Sequence, residues 1–175
     1  TLAERREIVK AIADWNYTLN GQIIFDIVGF MKVGDLKTDE NLPVRGYWII
    51  KTNSQNETIK ALDQDFKKDK IHTIAYTNKI GGQLMYFDMD RIGVKELHGV
   101  VLHEMGHALG ARHDKTGVMR SVITPSDYLC LDRAAVKQVV DYFHLDYDKV
   151  NWCYFGQNIL PDGKRARNIS FPSSQ

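Results

Sequence analysis

Three stretches of the chain carry apolar residues at the spacing of an amphipathic helix. In the first, apolar side chains recur every three or four positions among charged ones: Ile8, Ile12, Trp15 and Leu19. The second covers 95–109 and is followed by Gly110, a residue type that commonly ends helices. The third begins after Asp132, whose carboxylate suits a helix N-cap, and its apolar face consists of Ala135, Val136, Val139, Val140 and Phe143.

Shorter runs of β-branched and aromatic residues predict four strands between the first two helices. The predicted strands are 22–30, 44–51, 71–77 and 83–88. The polar stretch 52–70 predicts either a short helix or a long surface loop, and 111–130 has no regular period. This order of elements predicts an α+β fold, with one domain over 1–145 and a C-terminal tail over 146–175 that packs on the same domain.

Composition narrows the class of protein without identifying it. Of 175 residues, 43% are hydrophobic and 26% are charged, which is typical of a soluble globular protein. The 23 basic and 22 acidic residues give a net charge of +1, so we expect neither nucleic acid nor an anionic membrane as partner. Apolar runs are too short for a membrane span. Cys130 and Cys153 permit one disulfide or two buried thiols, and the sequence leaves both open.

The segment HEMGHALGARH carries the chemistry. His103 and His107 are four positions apart on a predicted helix, so both imidazoles project from one face and can reach one Zn²⁺. Glu104 stands beside them as a candidate general base for a water at the metal. Gly110 permits the left-handed turn that brings His113 back as third ligand. Three neutral imidazoles leave one position of a tetrahedral zinc open, which is typical of a catalytic site.

This segment resembles the extended zinc signature of the metzincin metallopeptidases, which continue into a Met-containing turn beneath the metal. Met119 follows His113 after a five-residue connection and matches that turn. Within the metzincins the chain is most similar to matrixin (matrix metalloproteinase) catalytic domains, through the segments 9–15, 80–88 and 131–143. The resemblance implies a twisted mixed β-sheet with an active-site helix, a Met-turn and a C-terminal helix.

The chain also departs from the matrixin pattern. Tyr76 and Tyr86 stand where matrixins have histidines for a second, structural zinc. At a matrixin calcium site Asp88 matches, but Arg91 replaces an expected acid. The resemblance therefore implies one catalytic zinc and leaves calcium binding open. No strand precedes the first helix, so either the chain is trimmed or the tail at 152–171 takes that place in the sheet.

The implied activity is that of a zinc-dependent endopeptidase. A metal-activated water attacks the peptide bond while Glu104 acts as general base and then as general acid. The resemblance implies that the polypeptide substrate lies extended along an edge strand near Ile74 and Ala75. Gly99, one helical turn before His103, leaves room for a specificity pocket. We expect a monomer, and the resemblance favours an extracellular over a cytoplasmic location.

Two other functions fit the same residues. One is a catalytically silent protein-binding module with a metzincin fold, and the other is a zinc amidase acting on a non-protein peptide such as peptidoglycan. Glu104 argues against the silent module, because a site without catalysis does not need that base. Among the remaining histidines, we expect His98 to pack or hydrogen-bond, and His72 and His144 to be structural or exposed.

Overall fold

The computed structural model describes residues 1–30, 46–65, 72–121 and 131–152. In these ranges it contains four α-helices: α1 (Leu2–Leu19), α2 (Glu57–Asp65), α3 (Val94–Ala108) and α4 (Arg133–Phe143). It also contains three strands and one short 3-10 helix: β1 (Trp48–Thr52), β2 (Ala75–Thr77), β3 (Leu84–Asp88) and Tyr147–Lys149. The predicted α+β class is confirmed. None of the helices in these ranges has the length and apolar character needed to cross a bilayer.

The strands form one small, open, mixed sheet in the order β1-β3-β2. β1 runs parallel to β3 and β2 runs antiparallel to it, with Ile50 and Tyr76 both opposite Tyr86. β3 is therefore the central strand of the described sheet, and β2 forms one of its edges. This arrangement places β2 next to the helix that carries the histidine segment, because α3 contacts both β2 and β3.

Helix α3 lies between α1 and the sheet, and its side chains from Leu97 to Ala108 are buried on every side. Trp15 of α1 is fully buried, and its indole Nε1 donates to the carbonyl oxygen of Leu102 at 3.2 Å. The helix predicted over 95–109 is confirmed within one residue at each end. Because α3 is packed between α1 and the sheet, it is held in one orientation, and the directions of its polar side chains are fixed with it.

The strand predicted over 22–30 is wrong, because the structure contains no strand there. The Asn16 side chain occupies both backbone groups of Phe25: its Nδ2 donates to the carbonyl oxygen at 2.8 Å, and its Oδ1 accepts from the amide at 2.7 Å. These groups are thus paired with a helix side chain and not with a neighbouring strand. Val28 is 98% exposed, so its β-branched character does not reflect a buried strand.

The other three predicted strands and the first and third predicted helices are observed, with changed boundaries. The prediction over 71–77 gives the three-residue strand β2, and α2 confirms the helix alternative within 52–70. The Asp132 side chain caps α4 by accepting from Ala134 and Ala135. Val150 is buried, and Asn151 donates its backbone amide to α1. Positions 44–45 of the second predicted strand and Cys130 lie outside the described residues. So does the tail over 153–175, which contains Cys153.

Candidate metal centre

The structure brings the three predicted histidines together. His103 and His107 project from α3, and the chain turns at Gly110, which has a φ of +94°. A Cβ at Gly110 would come within 2.3 Å of the Tyr142 ring, so both the turn and the packing require glycine. This turn returns His113 to the helix histidines, and one ring nitrogen of each imidazole lies within 4.8 Å of the others. In the described part of the chain, no other group of three potential ligands is arranged in this way.

Backbone carbonyls fix the protons of both helix histidines. His103 Nδ1 lies 2.6 Å from the carbonyl oxygen of Val118, and His107 Nδ1 lies 2.9 Å from that of Ala111. Because a carbonyl only accepts, each Nδ1 carries the proton and each Nε2 keeps a free lone pair. His107 Nε2 lies 3.1 Å from His113 Nε2. That separation is close to the roughly 3.3 Å expected between two nitrogen ligands of a tetrahedral zinc.

Burial keeps these imidazoles neutral. It lowers the pKa of His103 from 6.5 to about 4, an effect that the neighbouring His107 and His113 reinforce. Burial also lowers the pKa values of His107 and His113. Neutral imidazole is the form that binds a metal ion, so the donor set fits such an ion near neutral pH. His113 is exposed whereas His103 and His107 are buried, so the cluster faces solvent on the His113 side.

Glu104 follows His103 on α3 and is buried, and its side chain is not one of the clustered candidate ligands. Burial raises its pKa from 4.5 to about 7, and a hydrogen bond from Thr77 partly opposes that rise. The Thr77 Oγ1 lies 2.7 Å from Glu104 Oε2. A carboxyl with a pKa near 7 can accept a proton and return it at neutral pH.

Met119 packs directly against the helix that carries the ligands. Its side chain is fully buried, and a Cβ added at Gly106 would come within 2.4 Å of its Sδ atom. The same Cβ would lie 3.7 Å from the Trp15 ring. Glycine at this position therefore allows two large side chains to contact α3 next to His107.

Helix α4 and its N-cap hold the segment that follows α3 at two points, Val118 and Arg112. Asp132 Oδ2 accepts from the Val118 amide at 2.7 Å, and the Val118 carbonyl in turn accepts from His103. The Gln138 side chain binds both backbone groups of Arg112, accepting from its amide at 2.8 Å and donating to its carbonyl at 3.3 Å. The sequence predicted Asp132 only as a helix cap and missed Gln138. The available signal for Gln138 was its position three residues after the buried Ala135, which places a polar side chain on the same face of α4 as a buried one.

The residues predicted to bind substrate lie on two elements. Ile74 and Ala75 are half-buried at the start of β2, where Ala75 pairs with Phe87. Gly99 is buried within α3, one turn before His103. Thr77, which the sequence did not single out, is the last residue of β2, and its hydroxyl contacts the Glu104 carboxyl.

The other histidines behave as predicted. His98 pairs with Asp14 of α1, with 2.6 Å between Nε2 and Oδ2. The His72 side chain is 65% exposed. His144 ends α4 in a left-handed conformation, with a φ of 54°. These three residues therefore have structural or surface positions outside the three-histidine cluster.

The residues at the positions that differ from the matrixin pattern make contacts of their own. Tyr76 and Tyr86 stack face to face across β2 and β3, with ring centroids 4.7 Å apart. Arg91 pairs with Asp88, with 3.2 Å between Nε and Oδ2, and with Asp63, with 2.7 Å between a terminal guanidinium nitrogen and Oδ2. The Arg91 guanidinium thus offsets the negative charges of Asp63 and Asp88.

Three neutral imidazoles in this arrangement can hold a metal ion, and the residue that follows His103 carries a buried carboxyl. The geometry does not depend on a single element, since α3, the turn at Gly110 and the following segment, which is bound to α4 and its N-cap, all contribute. Neither a protein-family model nor a curated protein sequence matches the chain.

Proposed function

We propose that this chain is a zinc-dependent endopeptidase of the metzincin type. The observation that carries the proposal is the clustering of His103, His107 and His113 next to the buried carboxyl of Glu104. Three imidazoles suit Zn²⁺, and three protein ligands leave a position for water or substrate. The resemblance of HEMGHALGARH and Met119 to the metzincin signature supports the same assignment.

In this proposal the three histidines hold the zinc ion through their Nε2 atoms, and the Val118 and Ala111 carbonyls orient the two helix imidazoles. Bound zinc supplies Lewis acidity, which lowers the pKa of water and polarises the carbonyl of the peptide bond. Glu104 accepts the proton of the attacking water and delivers it to the leaving amine nitrogen. Its pKa of about 7 suits both transfers, and its burial excludes bulk water from that proton.

The polypeptide substrate lies extended along β2, the edge strand nearest to α3. Backbone hydrogen bonds near Ile74 and Ala75 recognise the main chain of the substrate, whatever its side chains. Gly99 leaves space for one substrate side chain beside the cluster. Recognition of an extended main chain supports cleavage within a chain and not only at its ends.

Cleavage of an unfolded protein such as casein tests this function. The wild type with one equivalent of zinc, the same protein with a chelator, and Glu104→Ala are compared, and zinc content is measured for each. We expect internal cleavage by the wild type alone, and a loss of at least about 10²-fold in Glu104→Ala, since general acid–base catalysis contributes about that much. The variant retains its zinc because Glu104 is not a ligand.

The opposite results are equally informative. A wild type that binds zinc and remains silent overturns the endopeptidase proposal, as does a Glu104→Ala variant that cleaves at the wild-type rate. Binding of the unfolded protein without cleavage supports the silent module. Hydrolysis of peptidoglycan but not of protein supports the amidase.

A further inference from the structure

Thr77 contacts the proposed general base at two points. Its Oγ1 lies 2.7 Å from the Oε2 of Glu104 and 3.0 Å from the backbone carbonyl oxygen of the same residue. A hydroxyl has one proton to donate, and the shorter distance together with the carboxylate charge assigns that proton to Oε2. No motif in the sequence points to this threonine.

The donor is held rigidly by the sheet. Thr77 is the last residue of β2 and lies opposite Met85 on the central strand β3. The next residue, Asn78, donates its amide to the Leu84 carbonyl oxygen at 2.9 Å, so the backbone is fixed on both sides of Thr77. The hydroxyl therefore approaches Glu104 from the sheet, whereas the backbone of Glu104 belongs to α3.

A glutamate side chain has several rotatable bonds, and its two oxygens exchange places when the carboxylate rotates. A hydrogen bond to Oε2 from a fixed donor removes that freedom. Glu104 is almost completely buried, with 4% of the residue exposed, so bulk water would not readily replace a lost hydrogen-bond partner. The contact thus selects one orientation of the carboxylate and leaves the other oxygen for the reacting proton.

We propose that Thr77 is a positioning residue for catalysis, which holds Glu104 through Oε2 so that the second oxygen receives the proton of the attacking water. This inference rests on the proposed endopeptidase function. It also links the two halves of the site, because the strand proposed to bind substrate at Ile74 and Ala75 ends in the residue that orients the base.

Two variants separate the hydroxyl from the shape of the side chain. Thr77→Val keeps the branched shape and removes the donor, whereas Thr77→Ser keeps the donor and removes the methyl group. We expect Thr77→Val to lower kcat by about 10- to 100-fold with KM within about twofold, since misplacement of a catalytic group can cost about 10²-fold. Thr77→Ser restores most of kcat, and zinc affinity is unchanged in both variants.

The matched control is Thr52→Val, the same substitution at the end of β1 on the opposite edge of the sheet. We expect wild-type kcat from it. A Thr77→Val enzyme with wild-type kcat overturns the proposal. So does a Thr77→Ser enzyme as slow as Thr77→Val, because the methyl group would then matter and not the hydroxyl, and so does a change confined to KM.

A second readout does not depend on activity. Urea unfolding of the metal-free protein is compared for the wild type, Thr77→Val, Glu104→Ala and the double variant. We expect Thr77→Val to lower the unfolding midpoint in the wild-type background and to lower it much less when Glu104 is already absent. Additive shifts overturn the Thr77 proposal even in an active enzyme. Coupled shifts in a protein that never cleaves peptides overturn the proposed function and the catalytic role, while the hydrogen bond itself stands.

Discussion

At the scale of single residues, the protonation of the helix histidines is set by two backbone carbonyls. The Val118 carbonyl binds His103 Nδ1 and the Ala111 carbonyl binds His107 Nδ1. These partners hold the tautomer with a free Nε2, and burial keeps the rings neutral. The candidate ligands are therefore already arranged as a metal ion requires, which reduces the reorganisation that binding would need.

The opposed pKa shifts of His103 and Glu104 predict how the metal-free protein responds to pH. The pKa of His103 falls from 6.5 to about 4 on folding, so its contribution to stability is complete above pH 6.5 and is lost as the pH falls towards 4. The pKa of Glu104 rises from 4.5 to about 7, so its contribution is complete below pH 4.5 and is lost as the pH rises towards 7. The two contributions oppose each other between pH 4.5 and 6.5.

Glu104→Gln removes one of these opposed contributions. We expect the free energy of unfolding of the metal-free variant to rise with pH between 4.5 and 6.5 more steeply than that of the wild type, by about 2 kcal/mol over the window. Urea unfolding at several pH values in the presence of a chelator measures this difference. Parallel pH profiles for the two proteins would show that Glu104 does not titrate as its burial implies.

The sequence predicted which three histidines come together, but not the residues that hold them in place. His103 and His107 share a helix face because their spacing alone fixes that relation, and Gly110 indicated the turn to His113. Thr77 and Gln138 act through contacts between elements that are distant along the chain. Such contacts depend on how the elements pack, and no local pattern encodes them.

At the scale of elements, α4 supports the candidate metal centre without contributing any of its three histidines. Asp132, the N-cap of α4, binds the Val118 amide, and Gln138, six residues later, binds both backbone groups of Arg112. The segment that follows α3 carries the carbonyl that orients His103 and the backbone that leads into His113. The position of α4 is therefore coupled to the geometry of the cluster.

This coupling predicts the effect of removing the Gln138 amide. Gln138→Leu retains the size of the side chain and releases the Arg112 backbone, so we expect zinc affinity to fall by about 10- to 100-fold, as is usual for supporting residues of metal ligands. The measurement is a competition titration against a zinc chelator. Lys137→Ala, at the exposed neighbouring position, serves as control and should keep the wild-type affinity. Equal affinities for Gln138→Leu and the wild type would contradict this role.

The elements themselves were predictable to different degrees. The helical periods of α1, α3 and α4 are long and are bounded by clear signals, such as Asp132 before α4. All three helices are observed. The segment 22–30 has strand-like composition, but Asn16 takes its backbone groups at Phe25. Strand formation requires a partner strand, and composition does not state whether one is present.

At the scale of the whole molecule, Arg91 joins three separate parts of the fold. Its guanidinium pairs with Asp63 of α2 and Asp88 of β3, and it donates to the Thr73 carbonyl just before β2. The Asp88 side chain is completely buried, so its charge depends on a partner in the protein. The arginine therefore stabilises the arrangement from which β2 approaches α3.

Replacing this arginine should destabilise the fold. Arg91→Leu leaves the buried Asp88 carboxylate without its cation, and we expect the free energy of unfolding to fall by about 3–5 kcal/mol, the usual cost of breaking a buried pair from one side. Arg91→Lys keeps the positive charge but loses the planar, forked donor groups of the guanidinium, so we expect a smaller fall in the free energy of unfolding. Urea unfolding of the three metal-free proteins provides the comparison. A fall below about 1 kcal/mol for Arg91→Leu would mean that the pair contributes little.

The central claim, that three histidines from two segments hold one metal ion, is tested most directly by titrating the metal-free protein with Zn²⁺ and measuring stoichiometry and affinity. The account predicts one ion per chain, with a loss of affinity of at least about 100-fold in each of His103→Ala, His107→Ala and His113→Ala. His72→Ala, a control at an exposed histidine outside the cluster, should bind as the wild type does. Absence of zinc binding by the wild type, or full affinity after loss of any one of the three histidines, would contradict the account.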